Sequence, residues 1–83
     1  MERWKKREIK SQRPDIPPEL LEIDHIVPRS KGGSDDEENL EALTIYEHIT
    51  KHYQAGEMGA VNLIYSRMTD QQRAAWYRVR RTL

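Results

Sequence analysis

The chain's three histidines fall where imidazole chemistry can be organised. His48 and His52 are four residues apart, so on a helix they project from one face, one turn apart, a workable geometry for two imidazoles on one metal ion. Taken alone, that spacing fits two incidental exposed histidines at least as well. A zinc-protease arrangement is excluded, because its motif needs Glu directly after the first His and Ile49 stands there. Asp24 and His25 are neighbours in an apolar run, and neighbours in a strand point to opposite faces. They should therefore do different jobs. A carboxylate can complete a metal site already holding imidazoles, and a neutral imidazole can accept a proton from water. Each also has a plain structural reading, Asp24 as a solvated strand-end acid and His25 as a packed half-polar residue. Together with Asn39, the set points to one metal-assisted site.

Residues that far apart in sequence need elements to carry them. Leu20 to Pro28 is rich in β-branched and apolar residues and stops at a proline, which predicts a strand. Lys31 to Glu38 holds Gly32, Gly33, Ser and Asp and reads as a loop. Asn39 to Leu43 predicts a second short strand, with Leu40 and Leu43 as anchors. A helix should begin at Thr44, where Thr44 and Glu47 have capping-box spacing, and stop at Gly56. The run Met58 to Met68 predicts a second helix. Thr69 and Gln72 repeat the capping-box spacing before a third helix, which runs through Trp76 toward Arg81. Residues 1–19, charged and then stiffened by Pro14, Pro17 and Pro18, suit a basic arm or short helix.

At 83 residues the chain should make one domain around a single small core, to which a bound metal could add stability. The absence of cysteine excludes disulfides, thiolate zinc sites and Cys nucleophiles, and suits a reducing cytoplasm. No apolar run approaches a membrane span, and the basic N-terminus lacks a signal peptide's apolar stretch. A soluble, cytoplasmic protein without a membrane partner is expected. Fourteen basic and fourteen acidic residues balance, so the distribution matters more than the sum. Cations gather near the termini, among them Arg78, Arg80 and Arg81, while Asp35 to Glu38 form an anionic loop unsuited to a phosphate backbone. If nucleic acid binds, removing residues 1–13 should weaken that binding more than folding.

The stretch Leu21 to His52 resembles the HNH endonucleases, a ββα-metal group that includes bacteriocin nucleases and phage homing enzymes. The matching pieces are Asp24-His25-Ile26-Val27-Pro28, then Gly32-Gly33, Asn39-Leu40 and Leu43, then His48 with His52 behind it. The resemblance implies an α+β fold with a ββα-metal core near residues 20–55. A helical extension over 57–81 would complete a nuclease domain over 20–83. It implies DNA phosphodiester hydrolysis, with His25 as general base and Asn39 orienting it. Asp24, His48 and His52 would bind one divalent metal, with Mg2+ or Mn2+ favoured and Zn2+ or Ni2+ also suited to the ligands. Arg29, Lys31, Arg78, Arg80 and Arg81 are candidates for DNA phosphate contacts, although solvated loop cations and helix-end arginines explain them equally. The CxxC pairs of many such proteins are missing, so no structural zinc is expected. Two other readings stay open: a DNA-binding module of the same fold without catalysis, and a nuclease toxin domain that needs an immunity partner. A monomer and a homodimer are both compatible with the sequence.

Overall fold

A computed structural model describes residues 2–83, with side chains described from residue 6 onward. Trp4, a candidate for core packing, has its side chain outside the described residues. The elements run in the order α1 (Glu2–Lys10), β1 (Leu21–His25), β2 (Leu40–Thr44), α2 (Ile45–Gln54), α3 (Met58–Arg67) and α4 (Asp70–Arg80). Short 3-10 turns lie at Pro18–Leu20, Arg29–Lys31 and Glu37–Asn39. The fold is α+β, with the strand, strand, helix order of a ββα core and two further helices after it. Among the described residues, no helix is long and apolar enough to cross a membrane.

Two compact units share the chain, one ending at Thr44 and the other beginning at Ile45. In the first, β1 and β2 pair antiparallel with Leu21 opposite Thr44, Ile23 opposite Ala42 and His25 opposite Leu40. Strand alternation sends these residues to one face of the sheet. That face is where the first apolar cluster forms, with Ile9 of α1 fully buried against Leu21 and Ala42 and with Ile16, Ile23 and Leu40 packed around them. Arg13 Nη1 donates to the Ala42 carbonyl at 3.1 Å, fastening the segment after α1 to β2. Of the two forms that residues 1–19 suit, arm or short helix, Glu2–Lys10 takes the helix, and it is packed. Among its described side chains, Ile9 is the buried one.

The second unit has its own cluster, in which Ile49, Val61, Ile64, Met68 and Trp76 are buried and Ile45, Tyr46, Tyr53 and Tyr65 pack around them. The single core expected for so short a chain is thus replaced by two. Apolar residues before the β2–α2 junction serve the sheet, and those after it serve the helices. In α2 the residues Ile45, Ile49 and Tyr53, each four apart, supply one apolar stripe. The turn from α2 to α3 is a Schellman stop: Gly56 has φ 75°, Gly56 N–H donates to Tyr53 O at 3.1 Å and Glu57 N–H to His52 O at 2.9 Å.

The capping box expected at the third helix is present. Gln72 N–H donates to Thr69 Oγ1 at 3.1 Å and Thr69 N–H to Gln72 Oε1 at 2.9 Å. Arg73 from α4 donates through Nε to the Tyr65 carbonyl at 3.0 Å and through Nη2 to that of Ser66 at 3.4 Å, satisfying the C-terminal end of α3. Trp76 packs edge-on to Tyr53, ring centroids 5.6 Å apart.

Because Ile9 is wholly buried, Ile9→Ala should destabilise the chain by roughly 2–5 kcal/mol. Because Ile9 and Arg13 both hold the first unit together, deleting residues 1–13 should impair folding too, a larger folding cost than the sequence alone suggests. Denaturant unfolding measures both, and an Ile9→Ala midpoint equal to wild type would contradict the packed role of α1.

Candidate metal centre and its histidines

In the first unit the site begins at the end of β1. Asp24 lies opposite Glu41 in the strand register, on the sheet face away from the Ile9 cluster. Two carboxylates set directly across a strand pair repel one another, an arrangement that a nearby cation stabilises. His25, one residue on, belongs to the other face, as strand alternation requires. Its Nε2 is 2.7 Å from Asp35 Oδ1. The same oxygen accepts from Arg29, at 2.9 Å from Nε and 2.8 Å from Nη2. The hydrogen bond to His25, followed by that to Arg29, holds the Asp35 carboxyl below its ordinary value.

Asn39 closes the loop between the strands with both ends of its side chain. Its Oδ1 accepts from Val27 N–H at 2.9 Å, while Nδ2 donates to the carbonyls of Val27 at 3.1 Å and Ser34 at 2.7 Å. Its own carbonyl accepts from Ile26 N–H at 2.8 Å. The chain thus leaves the sheet after His25 but stays tied to the start of β2. Gly32 takes the left-handed conformation, φ 86°, which a glycine adopts without the penalty of a side chain. Gly33 has a stricter role than a simple turn residue: a Cβ there would lie 1.7 Å from the Val27 carbonyl oxygen.

In the second unit α2 presents His48 and His52 beside its apolar stripe, both half-buried, with ring centroids 5.0 Å apart. His52 Nδ1 lies 2.9 Å from Glu57 Oε1. Glu57 is the residue whose N–H already caps His52's carbonyl in the Schellman stop, so one backbone bond and one side-chain bond clip it to the same histidine. A carboxylate on Nδ1 makes Nε2 the nitrogen that would ligate an ion, the arrangement found around many metal-bound histidines.

Asp24, His48 and His52 form the group that could hold a metal ion among the described residues. The donor set fits: two imidazoles and a carboxylate, with one imidazole already oriented through its other nitrogen. Of the sequence-predicted phosphate contacts, Arg29 is drawn to the His25 side of the loop by Asp35. Lys31 is exposed in the turn that follows Pro28. Arg78, Arg80 and Arg81 are exposed at the end of α4, and the Arg80 guanidinium lies 5.7 Å from the ring centroids of both Tyr53 and Tyr77. Sequence reasoning missed Asp35 and Glu57. Glu57 could have been found from the helix stop at Gly56, which folds the next residue back toward His52. Nothing in the run of acids singled out Asp35.

An antiparallel strand pair leading straight into a helix, with these residues on it, defines the ββα-metal class of nucleases. Within that class, the HNH endonuclease family model matches residues 5–54, and the chain belongs to that family. It is 56% identical over 34 residues to "Probable mobile endonuclease E" of Enterobacteria phage T4, covering 41% of this chain and 24% of the relative. It is also 56% identical over 32 residues to "Probable mobile endonuclease C" of the same phage, covering 39% of this chain and 15% of the relative. The matched stretch therefore spans a quarter or less of either relative. No solved structure matches significantly.

Gly33→Ala should disrupt the loop, because its Cβ would collide with backbone rather than with a side chain that can move aside. The expected result is a lower melting temperature with faster amide exchange at Val27 and Asn39. Wild-type exchange at both would contradict the close approach.

Proposed function

We propose that the chain is a metal-dependent DNA endonuclease in which His25 is the general base and Asp24, His48 and His52 hold one divalent ion, Mg2+ or Mn2+. The observation that carries this reading is the donor set of Asp24, His48 and His52 in a chain of the HNH family. The description of the phage relatives as mobile endonucleases supports cutting of nucleic acid, and DNA is the substrate the family implies.

His25 accepts a proton from water, whose oxygen forms a bond to phosphorus as the bond to the 3′ oxygen breaks. A divalent ion bound by the three ligands would stabilise the negative charge gathering on the phosphate and the leaving oxygen. Asn39 holds the loop after His25 through its bonds to Val27 and Ser34, which limits the freedom of the base. Glu57 fixes the His52 ring. Arg29, Lys31, Arg78, Arg80 and Arg81 add phosphate affinity that falls with salt and does not read sequence.

The test is nicking of supercoiled plasmid with Mg2+, Mn2+ or EDTA, beside thermal melts with and without Mn2+. Wild type should cut with metal and not with EDTA, and Mn2+ should raise its melting temperature. His25→Ala should lower cutting about 100- to 10,000-fold yet keep the Mn2+ shift, and His48→Ala should lose both. Cutting that survives His25→Ala would overturn the base assignment. DNA binding without cutting by wild type under either metal would leave a binding module of nuclease fold.

A further inference from the structure

Of the four consecutive acids at Asp35–Glu38, one reaches the histidine proposed as base. Asp35 Oδ1 lies 2.7 Å from His25 Nε2 and is gripped by Arg29 through two nitrogens at 2.9 and 2.8 Å. An ionised carboxylate can only accept hydrogen bonds, so Nε2 must be the donor, and in a neutral imidazole that makes Nδ1 the acceptor. His25 is a quarter exposed, so burial alone does not fix its ring and the Asp35 contact favours one tautomer.

We propose that Asp35 is a positioning residue: held by Arg29, it keeps His25 in the Nε2–H tautomer, so that Nδ1 is the atom that takes the proton from the attacking water. This rests on the reading of His25 as the base. Arg29 has two effects here. It fixes the carboxylate against the ring, and its charge offsets an anion that would otherwise repel the incoming phosphate. The exposed loop that looked unsuited to DNA thereby contributes one acid to the reaction centre with its charge balanced. Asn39 and Gly33 set the loop path that makes the contact reachable, Asn39 through the Ser34 carbonyl immediately before Asp35.

A competing meaning of the same geometry is that the Asp35 carboxylate occupies the phosphate's place and blocks the site until DNA displaces it. The two differ in sign. Positioning makes Asp35→Ala slower, and blocking makes it faster.

The experiment pairs two measurements on the full chain. Long-range proton–nitrogen NMR spectra of the metal-free protein report the His25 tautomer. Single-turnover cleavage of a DNA duplex with Mg2+ reports the chemical step, and the dissociation constant for that duplex reports binding. Wild type should show the Nε2–H tautomer, and Asp35→Ala a mixture of both. The Asp35→Ala cleavage rate should fall about 10- to 100-fold, with duplex affinity not weakened and melting temperature unchanged. Asp35→Asn, whose amide oxygen still accepts from Nε2–H, should keep the tautomer and recover part of the rate. A merely structural role would move the melting temperature and leave the tautomer alone.

An Nδ1–H tautomer in wild type, or a cleavage rate unchanged or raised in Asp35→Ala, would overturn the proposal. Failure of wild type to cut at all would instead sink the nuclease reading. A tautomer unaffected by Asp35→Ala would sink the Asp35 proposal whichever way cutting falls.

Discussion

The closure of residues 26–39 by the Asn39 side chain is the constraint on which the rest of the first unit depends. A loop of that length would cost entropy to close and would not by itself return His25, Arg29 and Asp35 to one place. The carboxamide of Asn39 pairs with Val27 through both its oxygen and its nitrogen, as a backbone amide would in a ladder. It thus continues the strand pairing by one step without a strand. Its third bond, to Ser34, fixes the residue before Asp35. The absence of a Cβ at Gly33 lets the returning chain pass over the Val27 carbonyl. These few contacts convert an acidic surface loop into a frame around an imidazole.

The second unit positions its histidines by a different route. Helical periodicity fixes the offset of His48 and His52 from the stripe of Ile45, Ile49 and Tyr53, so burying that stripe sets the direction of both rings. Termination of α2 then matters as much as its start. With Gly56 in the left-handed region, the chain reverses within two residues and brings Glu57 under His52. A residue with a side chain at that position would be strained, and the contact with the Nδ1 atom depends on the turn. The helix stop and the orientation of a candidate ligand are one feature.

Much of this was legible in the sequence because the signals were local. The second strand lies within one residue of where its composition predicts and the first begins within one, and the Thr69–Gln72 capping box lies where its spacing places it. The first strand ends at His25 rather than Pro28 because Val27 pairs with the Asn39 side chain instead of a strand partner. The candidate ligands stood out because three histidines and one strand-end acid have few other ways to be useful together. What escaped notice was decided by tertiary contacts. Among the described side chains of α1, Ile9 is the buried one, and the charged residues around it make too weak a pattern for periodicity to show. The separation into two apolar clusters follows from which face each element buries, and Asp35 is chosen from among equivalent neighbours by the path of the loop.

The central claim is a division of labour among the three histidines: one handles a proton and two hold an ion. Electron spin-echo spectra of the chain loaded with Mn2+ test it most directly, since they detect the nitrogen of an imidazole bound to the ion. The account predicts imidazole signals in wild type and in His25→Ala, and their loss in the double variant His48→Ala/His52→Ala. Signals that persist in the double variant, or vanish in His25→Ala, would contradict it.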